Sequence, residues 1–248
     1  MVSTLQKFGE YVILMLRTFA VPDRWSEFFK QTFREIYKLG MDSLWIVILL
    51  SIFIGAAISI QVSLNIQSPL IPDFTVGYIV REVVLLEFSS TIMCMILAGK
   101  VGSNVASELG TMRVTEQIDA LEIMGVNSAN YLILPKIVAF VIFIPVLVII
   151  SMFFGIGGGY FIAWATDAIT ISKYELGIQF WFVPYYIFHS VVKAMVFAFI
   201  IVSVASYFGY NVKGGALQVG KASTNSVVLS SVLVLAMDLV LTHLMLSR

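Results

Sequence analysis

Long apolar runs, broken by few charges, set the pattern of this chain. Five of them reach or approach the roughly 20 residues a helix needs to cross a bilayer. The first runs from Leu44 to Val62 and carries no charge. The second, 83–101, holds Glu87 inside it and Lys100 near its end; the third, 137–164, is uncharged and contains Pro145 and the Gly155, Gly157, Gly158, Gly159 cluster. The fourth, 180–208, is interrupted by Pro184 and Lys193, and the fifth, 227–246, contains Asp238. No segment alternates with a strand period. The pattern predicts an all-α membrane domain over 43–248, preceded by a helical arm over 1–42.

The arm is neither a span nor a signal peptide. Its apolar run Tyr11–Leu16 is short, Glu10 and Arg17 flank it, and no small-residue cleavage site follows. Basic residues interleaved with Phe8, Trp25, Phe28, Phe29 and Phe33 suit helices lying in the membrane interface, or a cytoplasmic extension packed on the protein.

Composition agrees with a bilayer protein. Apolar residues make up 59% of the chain and charged ones 12%, with a mean hydropathy of +0.96, too little polar surface to cover a water-soluble domain of 248 residues. Fifteen basic and fifteen acidic residues cancel, so nothing points to a nucleic-acid partner. Cys94 is the lone cysteine, which excludes an internal disulfide, and His189 and His243 are the only histidines, too few for a cysteine–histidine zinc site.

The distribution of basic residues sets the orientation. With the N-terminus inside, the cytoplasmic side holds eleven: Lys7, Arg17, Arg24, Lys30, Arg34, Lys38, Lys100, Arg113, Lys136, Lys213 and Lys221. The other side keeps three, Arg81, Lys173 and Arg248. The positive-inside rule therefore predicts a cytoplasmic N-terminus and, after five spans, a C-terminus outside.

One motif misleads. Gly215–Lys221 fits seven positions of a phosphate-binding loop, but Ala222 stands where a Ser or Thr hydroxyl must hold magnesium, and a membrane helix precedes it in place of a strand. It reads as a glycine-rich cytoplasmic turn.

The loop between the second and third spans is richer. Thr115 is placed to cap a short helix that Gly125 ends. At 100° per residue, Glu116, Asp119 and Glu122 fall on one half of it, and Ile118, Leu121 and Met124 on the other. Such a helix beneath a membrane domain fits a groove in a soluble partner, and its acids disfavour anionic head groups. Three ionisable groups lie at membrane depth, Glu87, Lys193 and Asp238. They read equally as polar points along a substrate path or as a structural ion pair of Lys193 with Glu87 or Asp238.

At these residues the chain resembles the MlaE family of ABC-transporter permeases. Ala98-Gly99-Lys100-Val101-Gly102-Ser103 is similar to that family's A-G-R-x-G-S, and the run Glu108–Leu121 to its E-[IL]-G-x-M-[RK]-[VA]-T-E-Q-[IL]-x-A-[LM]. Lys193–Ala198, Ala222–Val228 and Asp238–Thr242 also resemble family stretches. One departure stands upstream. The family's Arg-Glu-x-Gly-Pro is here Leu86-Glu87-Phe88-Ser89-Ser90, and Arg81-Glu82 is five residues out of register, which predicts a straighter second span.

The resemblance implies a phospholipid-transport permease of a bacterial inner membrane. Two copies would enclose a lipid cavity, with an MCE-domain protein on the periplasmic side. A cytoplasmic ABC ATPase would dock on a coupling helix made of Glu116, Gln117, Ile118, Asp119, Leu121, Glu122, Met124 and Gly125. ATP and magnesium would belong to that ATPase, this chain holding no cofactor, metal or catalytic residue. Glu87, Lys193 and Asp238 look like the family's intramembrane charges. On the residues alone, an ion-gradient-coupled transporter using those three groups stays open beside this reading, as does a non-transporting scaffold.

Overall fold

The computed structural model describes residues 2–22, 25–66, 72–166 and 170–246; Arg24 and Arg248 of the charge count lie outside them. Among the described residues the chain is helical, with no strand. The arm forms α1 (Val2–Thr18) and α2 (Trp25–Glu35) and leads into α3 (Asp42–Asn65). The second hydrophobic segment is built from α4 (Thr75–Val83), α5 (Met93–Leu97) and α6 (Ser103–Val114), and the following loop contains α7 (Gln117–Ile123). Then come α8 (Ser128–Ala165), α9 (Ile171–Gln179), α10 (Tyr185–Tyr210) and α11 (Ala216–Leu246). Stretches of π-helix occupy Ile36–Met41, Val84–Ile92 and Ala98–Gly102.

Among the described residues, five helices are long and apolar enough to span a membrane: Trp25–Asn65, Thr75–Val114, Ser128–Ala165, Tyr185–Tyr210 and Ala216–Leu246. All five expected spans are present, but most extend beyond their expected ends. At 1.5 Å per residue a 38-residue helix such as α8 is about 57 Å long, well past the hydrocarbon core. Hydropathy registers only the part inside the hydrocarbon, so the polar turns beyond it escaped the pattern. The fourth span instead starts late. Residues 180–184 are not helical; Pro184 stands there and Trp181 takes a left-handed φ of 49°.

The chain divides into two compact units. The first comprises 1–42, 95–143 and 196–240. In it α1 buries Leu14, Met15 and Thr18 and leaves Leu5, Phe8, Ile13 and Leu16 exposed. Asn130 of α8 holds the end of α1 by donating to the Thr18 and Ala20 carbonyls at 2.8 and 2.6 Å. Lys136, counted from the sequence as a loop cation, is 97% buried within α8 and bonds Glu35 at 2.7 Å and Glu108 at 2.9 Å. Glu108 also takes Lys38 at 2.7 Å. Burial of one ammonium is thus compensated by two carboxylates from α2 and α6, and a second cation balances the charge.

The second unit comprises 43–94, 144–195 and 241–248. Its packing rests on backbone touching backbone, as small residues allow in lipid. A methyl group at Gly55 of α3 would overlap the Gly155 carbonyl oxygen of α8, and one at Gly158 would overlap that of Ile52. Gly77 of α4 meets the Tyr174 carbonyl of α9 in the same way. Arg81 of α4, read from the sequence as an outside loop cation, is 99% buried. It donates to the carbonyls of Ile178 and Phe180 at 2.7 and 2.8 Å and pairs with Glu82 at 2.6 Å. Its guanidinium also lies over the Tyr78 ring, 5.0 Å from the centroid. The planar fork satisfies carbonyls that the end of α9 leaves without helical donors.

Candidate functional site

The segment after α6 is shaped by its own polar groups. Thr115 was expected to cap α7; its hydroxyl instead donates back to the Thr111 carbonyl at 2.8 Å and closes α6. The residue before α7 is Glu116, with φ 61°, so the chain enters the helix through a left-handed turn. A non-glycine residue there costs on the order of 1 kcal/mol. At the far end Gly125 has φ 77°; its N–H bonds the Glu122 carbonyl at 3.0 Å and that of Val126 bonds Leu121 at 3.1 Å. This glycine closure ends α7 where the sequence placed it.

The faces of α7 differ from the expected division. Ile118 is completely buried and serves as the helix's anchor. Leu121 is half-buried, while Glu116, Gln117 and Glu122 are exposed. Met124 is 68% exposed and Ile123, absent from the expected set, is 87% exposed. A helix of seven residues must spend one apolar residue on attachment, and its apolar tip then falls one position off the predicted stripe.

Polar contacts fix the rest of α7. Asp119 pairs with Arg113 at 2.6 Å. Glu122 accepts the Tyr210 hydroxyl at 2.8 Å and the Ser128 hydroxyl at 3.0 Å. The Tyr210 bond, joined by the Ser128 bond and the charge of Arg113, outweighs desolvation and holds the Glu122 carboxyl below its usual range. Tyr210 and Ser128 lie 82 residues apart in sequence, and no local pattern announces them.

At membrane depth the second unit brings Glu87 and Lys193 together at 3.5 Å. Lys193 is wholly buried; its ammonium also donates to Thr242 at 3.1 Å and to the Leu86 carbonyl at 3.3 Å. Glu87 accepts the Thr91 hydroxyl at 3.3 Å. The second span, expected to be straighter without Gly-Pro, departs from α geometry by its π-helical stretch Val84–Ile92. In that stretch the Leu85 and Leu86 carbonyls accept Ser190 and Lys193 of α10, so side chains take bonds the α ladder would otherwise use. Asp238 sits half-buried on α11 in the first unit.

The phosphate-loop lookalike is a helix start. Gly214 turns with φ 115°, and Ala216 onward belongs to α11.

A match to Permease MlaE runs over residues 32–244. The chain belongs to the MlaE permease family. Within that family's reach, it is 33% identical over 239 residues to a probable ABC transporter permease of Rickettsia bellii, covering 96% of this chain and 92% of that one. A probable ABC transporter permease of Synechocystis is 30% identical over 216 residues, covering 87% and 82%. The chloroplastic protein Trigalactosyldiacylglycerol 1 of Arabidopsis thaliana is 30% identical over 220 residues, 86% of this chain and 61% of that one. As an MlaE-family chain with five long apolar helices, this is a multi-pass membrane permease of the ABC transporter type.

Proposed function

We propose that this permease is the membrane subunit of an ATP-driven phospholipid transporter. Two copies enclose a cavity that takes acyl chains, and each receives a cytoplasmic ABC ATPase on α7. An MCE-domain protein stands on the periplasmic side. ATP and magnesium bind the ATPase, not this chain. The protein sits in a bacterial inner membrane, N-terminus in the cytoplasm and C-terminus in the periplasm.

The observation that carries the reading is α7 itself: a short helix between two spans, anchored by Ile118, with the apolar tip Ile123 and Met124 in the open. Two other features support it. On α11 only Val219, Ser226, Ser230 and Val234 are buried, a single stripe, which leaves Val228, Val232, Leu235 and Leu239 for lipid or a second copy. One relative is named for a glycerolipid, trigalactosyldiacylglycerol.

Native mass spectrometry of the gently extracted complex, tagged on this chain, tests the assembly. Two copies, two ATPases and a few retained phospholipids are expected. A lipid-poor particle without an ATPase that transports on an ion gradient would replace this reading with a coupled transporter built on Glu87, Lys193 and Asp238. The docking site is tested by Leu121→Arg, which places a charge beside the exposed tip. Loss of ATPase co-purification is expected; unchanged co-purification and transport would sink the assignment.

A further inference from the structure

α7 has seven residues, far below the length at which an isolated helix holds itself together. It is entered through a left-handed residue and left through a glycine, so neither end stiffens it. Ile118 alone would make it a pivot. What prevents pivoting is a polar triangle at its C-terminal half. The Tyr210 hydroxyl reaches Glu122 at 2.8 Å and Ser128 at 2.7 Å, and Ser128 reaches Glu122 at 3.0 Å. Two hydroxyl hydrogens serve three short contacts, so each group restricts the other two. Tyr210 also meets the N-terminal half. Arg113, which pairs with Asp119 of α7 at 2.6 Å, lies over the Tyr210 ring 5.8 Å from its centroid. Both acids inside α7 therefore lead to one largely buried tyrosine, the last residue of α10.

We infer that Tyr210 is a positioning residue for energy coupling: it ties the ATPase-docking helix to the cytoplasmic end of the fourth span, so that displacement of α7 by the partner moves α10. The inference rests on the reading of α7 as the docking helix. The ends of the second and third spans adjoin α7 in the chain; the fourth span is distant from it in sequence and meets it directly through this bond, while Gly209 of α10 packs on Ala106 of α6. Tyr210→Phe keeps the ring under Arg113 and removes only the hydroxyl.

The test uses the full permease–ATPase complex in liposomes of phosphatidylethanolamine and phosphatidylglycerol carrying a fluorescent phospholipid. Lipid moved per ATP hydrolysed is the readout. Tyr210→Phe is expected to retain the co-purifying ATPase and to lower that ratio about fivefold or more, as the loss of a typical coupling free energy would. Glu122→Ala, which removes the acceptor oxygens, should lower it similarly, and the double variant no further, because both remove the Tyr210–Glu122 bond. A merely structural role would lower yield and melting temperature without moving the ratio. A wild-type ratio in Tyr210→Phe, or losses that multiply in the double variant, would overturn the inference. If Tyr210→Phe does not assemble, Glu122→Ala decides: a wild-type ratio overturns. Failure of the underlying reading is seen separately, as ATPase that still binds Leu121→Arg.

Discussion

Lys193 lies 3.5 Å from Glu87, yet the two differ sharply in surroundings: the lysine side chain is wholly buried and the glutamate 45% exposed. The Lys193 ammonium is therefore bound to the protein interior, through Thr242 and the Leu86 carbonyl, while Glu87 meets both the lysine and the outside of its unit.

That asymmetry yields a prediction about coupling between the pair. Lys193→Met and Glu87→Gln each remove one partner of a contact whose lysine side is wholly buried. The double variant should be more stable than the sum of single losses predicts, by about 1 kcal/mol or more. Melting in detergent gives the double-mutant cycle; strict additivity would show that the 3.5 Å contact carries no energy. Lipid transfer should fall in all three variants if the pair lines the lipid path.

Lys136 offers a structural counterpart. It is 3% exposed and bonds Glu35 and Glu108, so Lys136→Met leaves two carboxylates without their shared cation. The expected cost is about 3 kcal/mol, which in a chain of this size lowers the melting temperature by roughly 6–12 °C. Lys136→Arg keeps the charge and should recover part of the loss. An unchanged melting curve for Lys136→Met would remove this network from the account of how α2, α6 and α8 are held.

Glycine packing in the second unit makes a sharper contrast. Gly55→Ala drives a methyl group into the Gly155 carbonyl oxygen, whereas Gly157 has nothing within 4 Å of the same position. The first substitution should cost about 3 kcal/mol or prevent accumulation of folded protein. Gly157→Ala should be neutral or mildly stabilising, by up to about 1 kcal/mol, because it restricts the unfolded chain and strengthens the helix. Yield and thermal melting of the two variants side by side check the pair.

How much of this could be read beforehand depends on range. The five spans and the close of α7 at Gly125 are local properties, set by runs of apolar residues and one glycine, and they were legible. The span ends were not, because helices continue into polar turns that hydropathy cannot distinguish from loop. Thr115 was misassigned for a related reason: a threonine between two helices can cap the second or back-bond within the first, and the left-handed turn at Glu116 decides for the first. Arg81, Lys136, Ser128 and Tyr210 acquire their roles from partners about 30 to 100 residues away, which no spacing rule encodes. Glu87 and Lys193 stood out only because charge is rare in a span; that rarity marked them without choosing their partner.

The carboxyl of Glu122 provides a pH test of the α7 site. Its hydrogen bond from Tyr210 comes first among the causes, with Ser128, Arg113 and Arg17 adding to it, and together they hold its pKa below the ordinary carboxylate value. A group whose folded pKa is depressed contributes stability that is complete above the unfolded pKa and disappears as pH falls through the folded one. Attachment of α7 should thus be constant from pH 8 down to about 5 and weaken only below the ordinary glutamate range near about 4.3. Hydrogen-exchange protection of residues 117–126, corrected for the intrinsic rate at each pH, follows this directly. Glu122→Gln should start with lower protection and lose the acid limb, since an amide keeps the acceptor oxygen but not the charge. Protection that already decays near pH 6, or a wild-type acid limb in Glu122→Gln, would assign the attachment to another group and leave the Tyr210–Glu122 bond without a stabilising role.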